Sequence, residues 1–450
     1  MITPRRIIVV GGNAAGPAAA AKAKRTNPNA EVILFEAGDF ISTGTCEMPY
    51  VLSGQIRDVN DIVFFNAGSF KKEKGVDVYL KHKVEGINRR DKTILVRNFS
   101  GEKLNEIRYD KLILTTGSKA KQIPGLRADA KNVFTLKSVN DLILLTDYIR
   151  TAGVKKAAVI GSGYIGLEIV DALKNLMIEV SLFEKEQLPL PSSEAEIGLL
   201  IKELLRNNEI DFWNNAGSLK VNYSENNDYV MSLEVEGRIL EFDLYIIAAG
   251  FIPNTELAEG ANLETGKDKA IKIDNKLKTS DANIYAAGDN VEVINAVTRR
   301  PDYIPLATVA YQYGHAAGEN AAGGNAFAEP VIKNLSVKIL GKYFISTGLS
   351  SAEADRHGFV YNTVSEVVPS LVKVMPESSN VFGKIIFEKD SKKIIGASFF
   401  GGKEVSGYGD LISMLIKTKQ PADILSKINY NYTPPLSPFV NLLYVLGKKI

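Results

Sequence analysis

The chain has 450 residues, 45% of them apolar and 24% charged, with 54 Lys+Arg against 52 Asp+Glu and a formal charge of +2. That balance excludes a global field steering it to nucleic acid or an anionic membrane, and the length implies about three domains rather than one core. A single cysteine, Cys46, excludes an internal disulfide or a Cys-rich metal site and directs the expectation to a reducing cytoplasm.

The opening MITPRRIIVVGG has too short an apolar run for a signal peptide, and no stretch reaches the roughly 20 apolar residues of a membrane helix. From Arg5, RRIIVVGGNAAGPAAAAKAK reads as a strand, a glycine turn and an Ala-rich helix, followed by a strand, EVILFE, ending at Glu36. In a βαβ dinucleotide fold the glycines let the backbone approach a diphosphate, the helix start faces its charge, and the terminal acid takes a ribose hydroxyl. Gly11, Asn13, Ala14, Ala15, Gly16 and Glu36 are therefore candidate cofactor residues. Asn13 stands where the middle glycine usually is, which leaves a tight turn without ligand as the alternative for this motif alone.

Further along, ISTGTCEMPYVLSG carries Cys46, and YDKLILTTGS is an apolar strand running into a small-residue turn at Thr116 and Gly117. KKAAVIGSGYIGLEIVDALKNLMIEVSLFEK then repeats the βαβ unit, with Gly161, Gly163 and Gly166 in full GxGxxG spacing and Glu184 at the next strand end. Two units predict two dinucleotides, a flavin and a nicotinamide. Glu184 would repel a 2′-phosphate, so NADH is preferred over NADPH, with Lys185 weakening the preference. FDLYIIAAGFIPN, with Gly250, and NIYAAGDN, with Gly288 and Asp289, repeat the strand-to-turn form, and Asp289 is placed to bond a ribityl or phosphate group. IPLATVAYQYGHAAGENAAGG, which contains Ala307, has small residues at helical spacing that suit either packing beside a cofactor or a core helix. The last segment alternates apolar runs such as KIIFEKDSKKIIGASFFGG with a helical GDLISMLIKT, an α+β pattern without its own cofactor. His82 and His315 have no partner at ligand spacing, so no metal site is expected.

GGNAAG, TTGS, GSGYIGLE, AAGFIPNTELA, IYAAGDN and IPLATVAYQYGHAAGEN together resemble the pyridine nucleotide-disulphide oxidoreductase superfamily over essentially the whole chain. C-x-M-P-Y at Cys46 resembles its single-cysteine branch of coenzyme A disulphide reductases, persulphide reductases, NADH oxidases and NADH peroxidases. The two-cysteine branch is excluded by the lone thiol and by the absence of a C-terminal His-Glu dyad, the last histidine being His357.

The resemblance implies an α/β chain with two Rossmann-like domains and a C-terminal α+β dimerisation domain. FAD would be held by residues 1–115 with 246–325 and the nicotinamide by 116–245, with 326–450 forming a homodimer. Cys46 would be the redox-active residue, with Tyr164 covering the flavin beside Ile165 and Glu168. Ser42 would lie near the substrate sulfur, Lys22, Lys24 and Arg25 would hold coenzyme A phosphates, and Tyr432 in NYTPP would reach the partner's thiol. A flavin beneath the sulfur and nearby helix-start N–H groups are expected to lower the thiol pKa, with Glu47 opposing. Oxidases and peroxidases of this branch have a histidine at the position of Ala14, and Met375 stands where the reductases have a tyrosine. The expected activity is NAD(P)H-dependent reduction of a disulphide, persulphide or polysulphide, with no nucleic acid or membrane partner. An NADH oxidase or peroxidase cycling Cys46 through a sulfenic acid, and a non-catalytic redox sensor, are the alternatives.

Overall fold

A computed structural model describes residues 5–99, 104–266 and 268–450, so the first four residues of the opening stretch lie outside it. Two five-stranded parallel sheets organise most of the chain. The first runs in the order Ile284–Ala286, Lys111–Leu114, Arg6–Val10, Glu31–Phe35, Asp77–Tyr79. The second repeats that plan with Val133–Phe134, Leu244–Ile247, Lys156–Ile160, Glu179–Phe183 and Asp211–Trp213. Their central strands, RIIVV, KLIL, KAAVI and LYII, are unbroken or nearly unbroken apolar runs because helices cover both faces. Leu244–Ile247 lies wholly in the second sheet, paired with Ala157–Ile160.

Each parallel sheet is accompanied by a three-stranded antiparallel one, His82–Asn88 with Thr93–Asn98 and Leu104–Arg108, and Lys220–Tyr223 with Val230–Val235 and Arg238–Leu240. A third unit is antiparallel, ordered Asn334–Ile339, Lys342–Gly348, Ile394–Gly401, Asn380–Glu388, Tyr361–Pro369, with the helix Val405–Lys417 packed on it. Among the described residues no helix is long and apolar enough to cross a membrane.

The small residues of the helix Ala307–Ala321 serve packing rather than a ligand along most of their length. A Cβ at Gly314 would collide with the Ala15 carbonyl, and one at Gly318 with that of Ala19, so glycine lets this helix lie directly on the helix Ala15–Thr26. Of its small residues Ala307 and Ala310, in the first turn, reach a cleft, while its Tyr311 and His315 line a second one.

Candidate active site

The two glycine turns are built alike. Gly11 and Gly161 have φ of 105° and 109°, a region closed to most side chains, and a Cβ at Gly16 or Gly166 would strike the carbonyl of Gly11 or Gly161. Each following acid folds back onto its turn. Glu36 accepts from Gly12 N and Gly38 N at 2.6 Å each, and Glu184 accepts from Ser162 N at 2.9 Å and Ser162 Oγ at 2.7 Å. Burial raises the Glu36 carboxyl above its ordinary value, against those backbone N–H groups.

A cleft of about 480 Å³ runs from Glu36 past Gly11, Asn13, Ala14 and Ala15 to Thr116, Gly117, Gly288 and Asp289, and on to Tyr164, Ile165, Glu168, Ala307 and Cys46. Three helices begin at it: Ala15–Thr26, Tyr164–Asn175 and Ala307–Ala321. None has a capping side chain or an acid in its first turn, so their N-terminal N–H groups lack side-chain acceptors and their positive dipole ends converge. Three other helices are closed by capping boxes, Asn66 with Ser69, Ser138 with Asp141 and Ser350 with Glu353, whereas Val405–Lys417 also starts without a capping side chain or a first-turn acid. Fully buried Asn290, beside this cleft, donates to Leu114 O and Thr116 Oγ1 at 3.1 Å, while its Oδ1 has no partner. An elongated cleft with unclaimed donors at its centre and an acid at the ribose end fits FAD. Glu36, the Gly11–Gly16 turn, Thr116 and Asp289 are the residues that would hold it.

Cys46 is brought to this cleft by a short folded segment. The strand Ile41–Thr43 is tied to the first turn by Ser42 N donating to Gly12 O at 2.8 Å and Thr43 Oγ1 to Asn13 Oδ1 at 3.1 Å. Ser42 takes a left-handed φ of 52°, which turns the chain toward the 3-10 turn Thr45–Glu47. The helix Met48–Leu52 follows, and buried Met48 and Leu52 join a core shared with Leu142 and Leu167 of the second unit and with Val337 and Phe344 of the third. At roughly 1.5–3 kcal/mol for each fully buried side chain, this anchors the thiol between three units.

The sulfur sits where two clefts meet. The second cleft, of about 540 Å³, is lined by Ser42, Cys46, Glu47, Ala14 and Ala307 at one end, with Arg25, Lys74 and His315 and the aromatic rings of Phe64, Phe65, Phe70 and Tyr311. Cys46 is therefore reachable by solvent through the clefts, although protein encloses much of it.

Its electrostatics differ from the expectation. Burial pushes the Cys46 thiol up, the carboxylates of Glu47, Glu168 and Asp289 push the same way, and Lys137 alone pulls down. Glu168 is pushed up to about 8 by burial and by the Asp171 carboxylate, with Lys338 opposing. A folded value above the ordinary 4.5 means that its contribution to stability is complete below that pH and is lost as pH rises through about 8. Glu168→Gln removes this dependence. The cofactor-free variant is expected to melt above the parent at pH 9 and near it at pH 5, as thermal unfolding at the two values will show.

Sequence reasoning missed Lys137. It lies 91 positions beyond Cys46 (137 − 46) with no motif to mark it. Its Nζ is 3.1 Å from Asp289 Oδ2 and 4.2 Å from the centre of the Phe251 ring, and Ser118 Oγ donates to the same Asp289 oxygen at 2.9 Å. Among the described residues it is the only cation on the wall of the first cleft.

Of the three basic residues expected at the substrate, only Arg25 lines a cleft, its guanidinium 3.0 Å from His315 Nε2. Lys22 pairs with Glu319 at 2.8 Å and Lys24 donates to Ala30 O at 2.8 Å, so both are engaged away from it. Gly161, Gly163, Gly166, Glu184 and Gly250 are not on the wall of either cleft. Tyr432 is half exposed, packs edge-on to Phe439 and faces neither cleft of its own chain.

Comparison with known proteins agrees with this architecture. The family model described as pyridine nucleotide-disulphide oxidoreductase matches residues 5–314. The chain belongs to that family. These are FAD-dependent oxidoreductases of NADH or NADPH, and this oxidoreductase is 30% identical to the NADH oxidase of Methanocaldococcus jannaschii over 96% of its own length and 95% of the relative's. It is 28% identical to the CoA-dependent NAD(P)H sulfur oxidoreductase of Pyrococcus abyssi, covering 99% of its own length and 98% of that protein. Among solved structures, an NAD-dependent persulfide reductase from A. fulgidus superposes with a TM-score of 0.93 at 31% identity, over 99% of this oxidoreductase and 82% of that chain.

Proposed function

We propose that this oxidoreductase uses NADH, and less readily NADPH, to reduce a coenzyme A-linked disulphide or persulphide through Cys46, as a cytoplasmic homodimer. The observation that carries the reading is the position of the only thiol on the walls of both clefts, one suited to FAD and the other open for a second molecule. Arg25 lies 11 residues along the helix from Ala14 (25 − 14), about 16 Å at 1.5 Å per residue. A long substrate with an anionic end, an apolar or ring-bearing body and a sulfur tip matches that cleft. Glu184 at the second turn supports the preference for a nucleotide with a free 2′-hydroxyl.

In the first half-reaction the Cys46 thiolate attacks one sulfur of the substrate. An S–S bond to Cys46 forms as the substrate's S–S bond breaks, and the departing sulfur leaves as a thiolate that takes a proton. FAD bound in the first cleft supplies two-electron transfer between nicotinamide and sulfur. Tyr164 and Glu168 shield that side of the thiol from water, and Lys137 offsets the negative charge that gathers there. Tyr432 of the partner subunit is the proposed proton donor to the departing sulfur.

An oxidase cycle, suggested by the M. jannaschii relative, is the second reading. Against it, Ala14 puts a methyl rather than an imidazole beside the thiol, leaving a sulfenic acid without that partner. Anaerobic NADH consumption separates the two. Turnover with coenzyme A disulphide or persulphide is expected in the absence of oxygen; rapid turnover with oxygen or peroxide and none with either sulfur substrate would reverse the assignment.

A further inference from the structure

The two clefts that meet at Cys46 carry opposite charge patterns. On the substrate side, Arg25 and Lys74 supply cations, and among the described residues Glu47 is the only carboxylate on the wall. The cations belong to the far end. Arg25 is at the last turn of the helix that starts beside the sulfur, and Gly75, next to Lys74, packs against the Lys24 side chain of that same turn. Glu47 is covalently adjacent to the thiol.

Its side chain turns into the cleft rather than away. A Cβ at Gly44 would lie 2.5 Å from Glu47 Oε2 and 3.1 Å from Phe64 Cζ, so the carboxylate sits over the Gly44 turn against the tip of Phe64. Among the described residues no cation pairs with it, and no donor bonds to it. A carboxylate without a paired cation thus lines the same cleft as the sulfur, one residue away from it.

We propose that Glu47 sets the sulfur specificity of this site, admitting substrates whose reacting end is an uncharged disulphide and opposing those that end in an anionic sulfur, a persulphide or polysulphide. The inference rests on the proposed sulfur-reducing function and narrows it. Discrimination of this kind arises from repulsion of the wrong partner as much as from attraction of the right one. The same carboxylate raises the thiol's pKa, which slows attack on every substrate equally. Specificity therefore has to be read from a ratio, in which the thiolate fraction cancels.

Two ratios test it. In the first, the holoenzyme and its Glu47→Gln and Glu47→Ala variants are assayed anaerobically with coenzyme A disulphide and coenzyme A persulphide, which share one coenzyme A body and differ in whether the reacting sulfur carries a second coenzyme A or a negative charge, a difference that the parent-to-variant comparison holds fixed. The parent is expected to favour the disulphide, and both variants to shift the kcat/KM ratio toward the persulphide by about tenfold or more. In the second, Cys46 is alkylated with iodoacetate and with iodoacetamide, an anionic and a neutral reagent of similar size. With one cysteine in the chain the label is unambiguous. The iodoacetate to iodoacetamide rate ratio is expected to rise about tenfold in Glu47→Gln. An unchanged alkylation ratio overturns the role of Glu47 whatever the enzyme's substrate. A raised alkylation ratio in a protein that turns over neither sulfur substrate instead sinks the proposed function and leaves the charge gate standing.

Discussion

Cys46→Ser is expected to reduce turnover of any disulphide or persulphide by about 10³-fold or more, a loss of at least about 4 kcal/mol of transition-state stabilisation. A serine hydroxyl stays protonated at neutral pH, is a weaker nucleophile and cannot form the S–S bond that the cycle requires. The glycine turns, Glu36 and Asp289 are untouched by the change, so NADH should still bleach the flavin absorbance and still reduce an artificial acceptor such as ferricyanide. Stopped-flow spectra and anaerobic steady-state rates on the same preparation separate the two effects. Retention of sulfur-substrate turnover in Cys46→Ser and Cys46→Ala would remove the thiol from the mechanism.

A second large effect is expected far from the chemistry. Glu194, just before the helix Ala195–Asn207 of the second unit, is almost completely buried. It accepts from Lys384 Nζ at 2.7 Å on the third unit's strand Asn380–Glu388, and from Ser351 N at 2.7 Å and Ser351 Oγ at 2.8 Å at the start of that unit's helix Ser351–His357. Lys384 Nζ also pairs with half-exposed Glu196 at 2.9 Å, so Glu194→Ala leaves that lysine a partner and should cost less than Lys384→Met, which strands buried Glu194 and should destabilise the chain by about 3–5 kcal/mol. Replacing both by apolar residues should cost far less than the sum, because only half-exposed Glu196 then lacks its partner. Urea unfolding followed by the single tryptophan, Trp213, in the second sheet reads the cycle directly. Additive losses would show that the two side chains act independently.

How far the sequence speaks depends on the distance over which a residue acts. The turns at Gly11 and Gly161 are legible because positive φ and close carbonyl approach exclude all but the smallest residues, and strand, turn and acid follow within about 30 positions. Cys46 is legible because it is alone. Lys137 is not, since its grip on Asp289 joins segments 152 positions apart (289 − 137) and leaves no local pattern. Charge on a helix was equally uninformative. Lys22, Lys24 and Arg25 look alike in sequence, yet Glu319 and the Ala30 carbonyl claim two of them and leave one for the cleft. The aromatic wall of Phe64, Phe65 and Tyr311 went unread for a related reason, as exposed rings carry no periodicity that distinguishes a binding face from ordinary surface.

The three uncapped helix starts have a consequence beyond recognition. Folding without FAD leaves several main-chain donors without side-chain acceptors at the junction of two units, and the bound cofactor then stabilises the native state in proportion to the logarithm of its free concentration. Newly made polypeptide in a riboflavin-poor cell would therefore be softer, opened more often and more readily degraded than its loaded counterpart. Cofactor supply, through proteolysis, would then bear on how much of this oxidoreductase a cell retains.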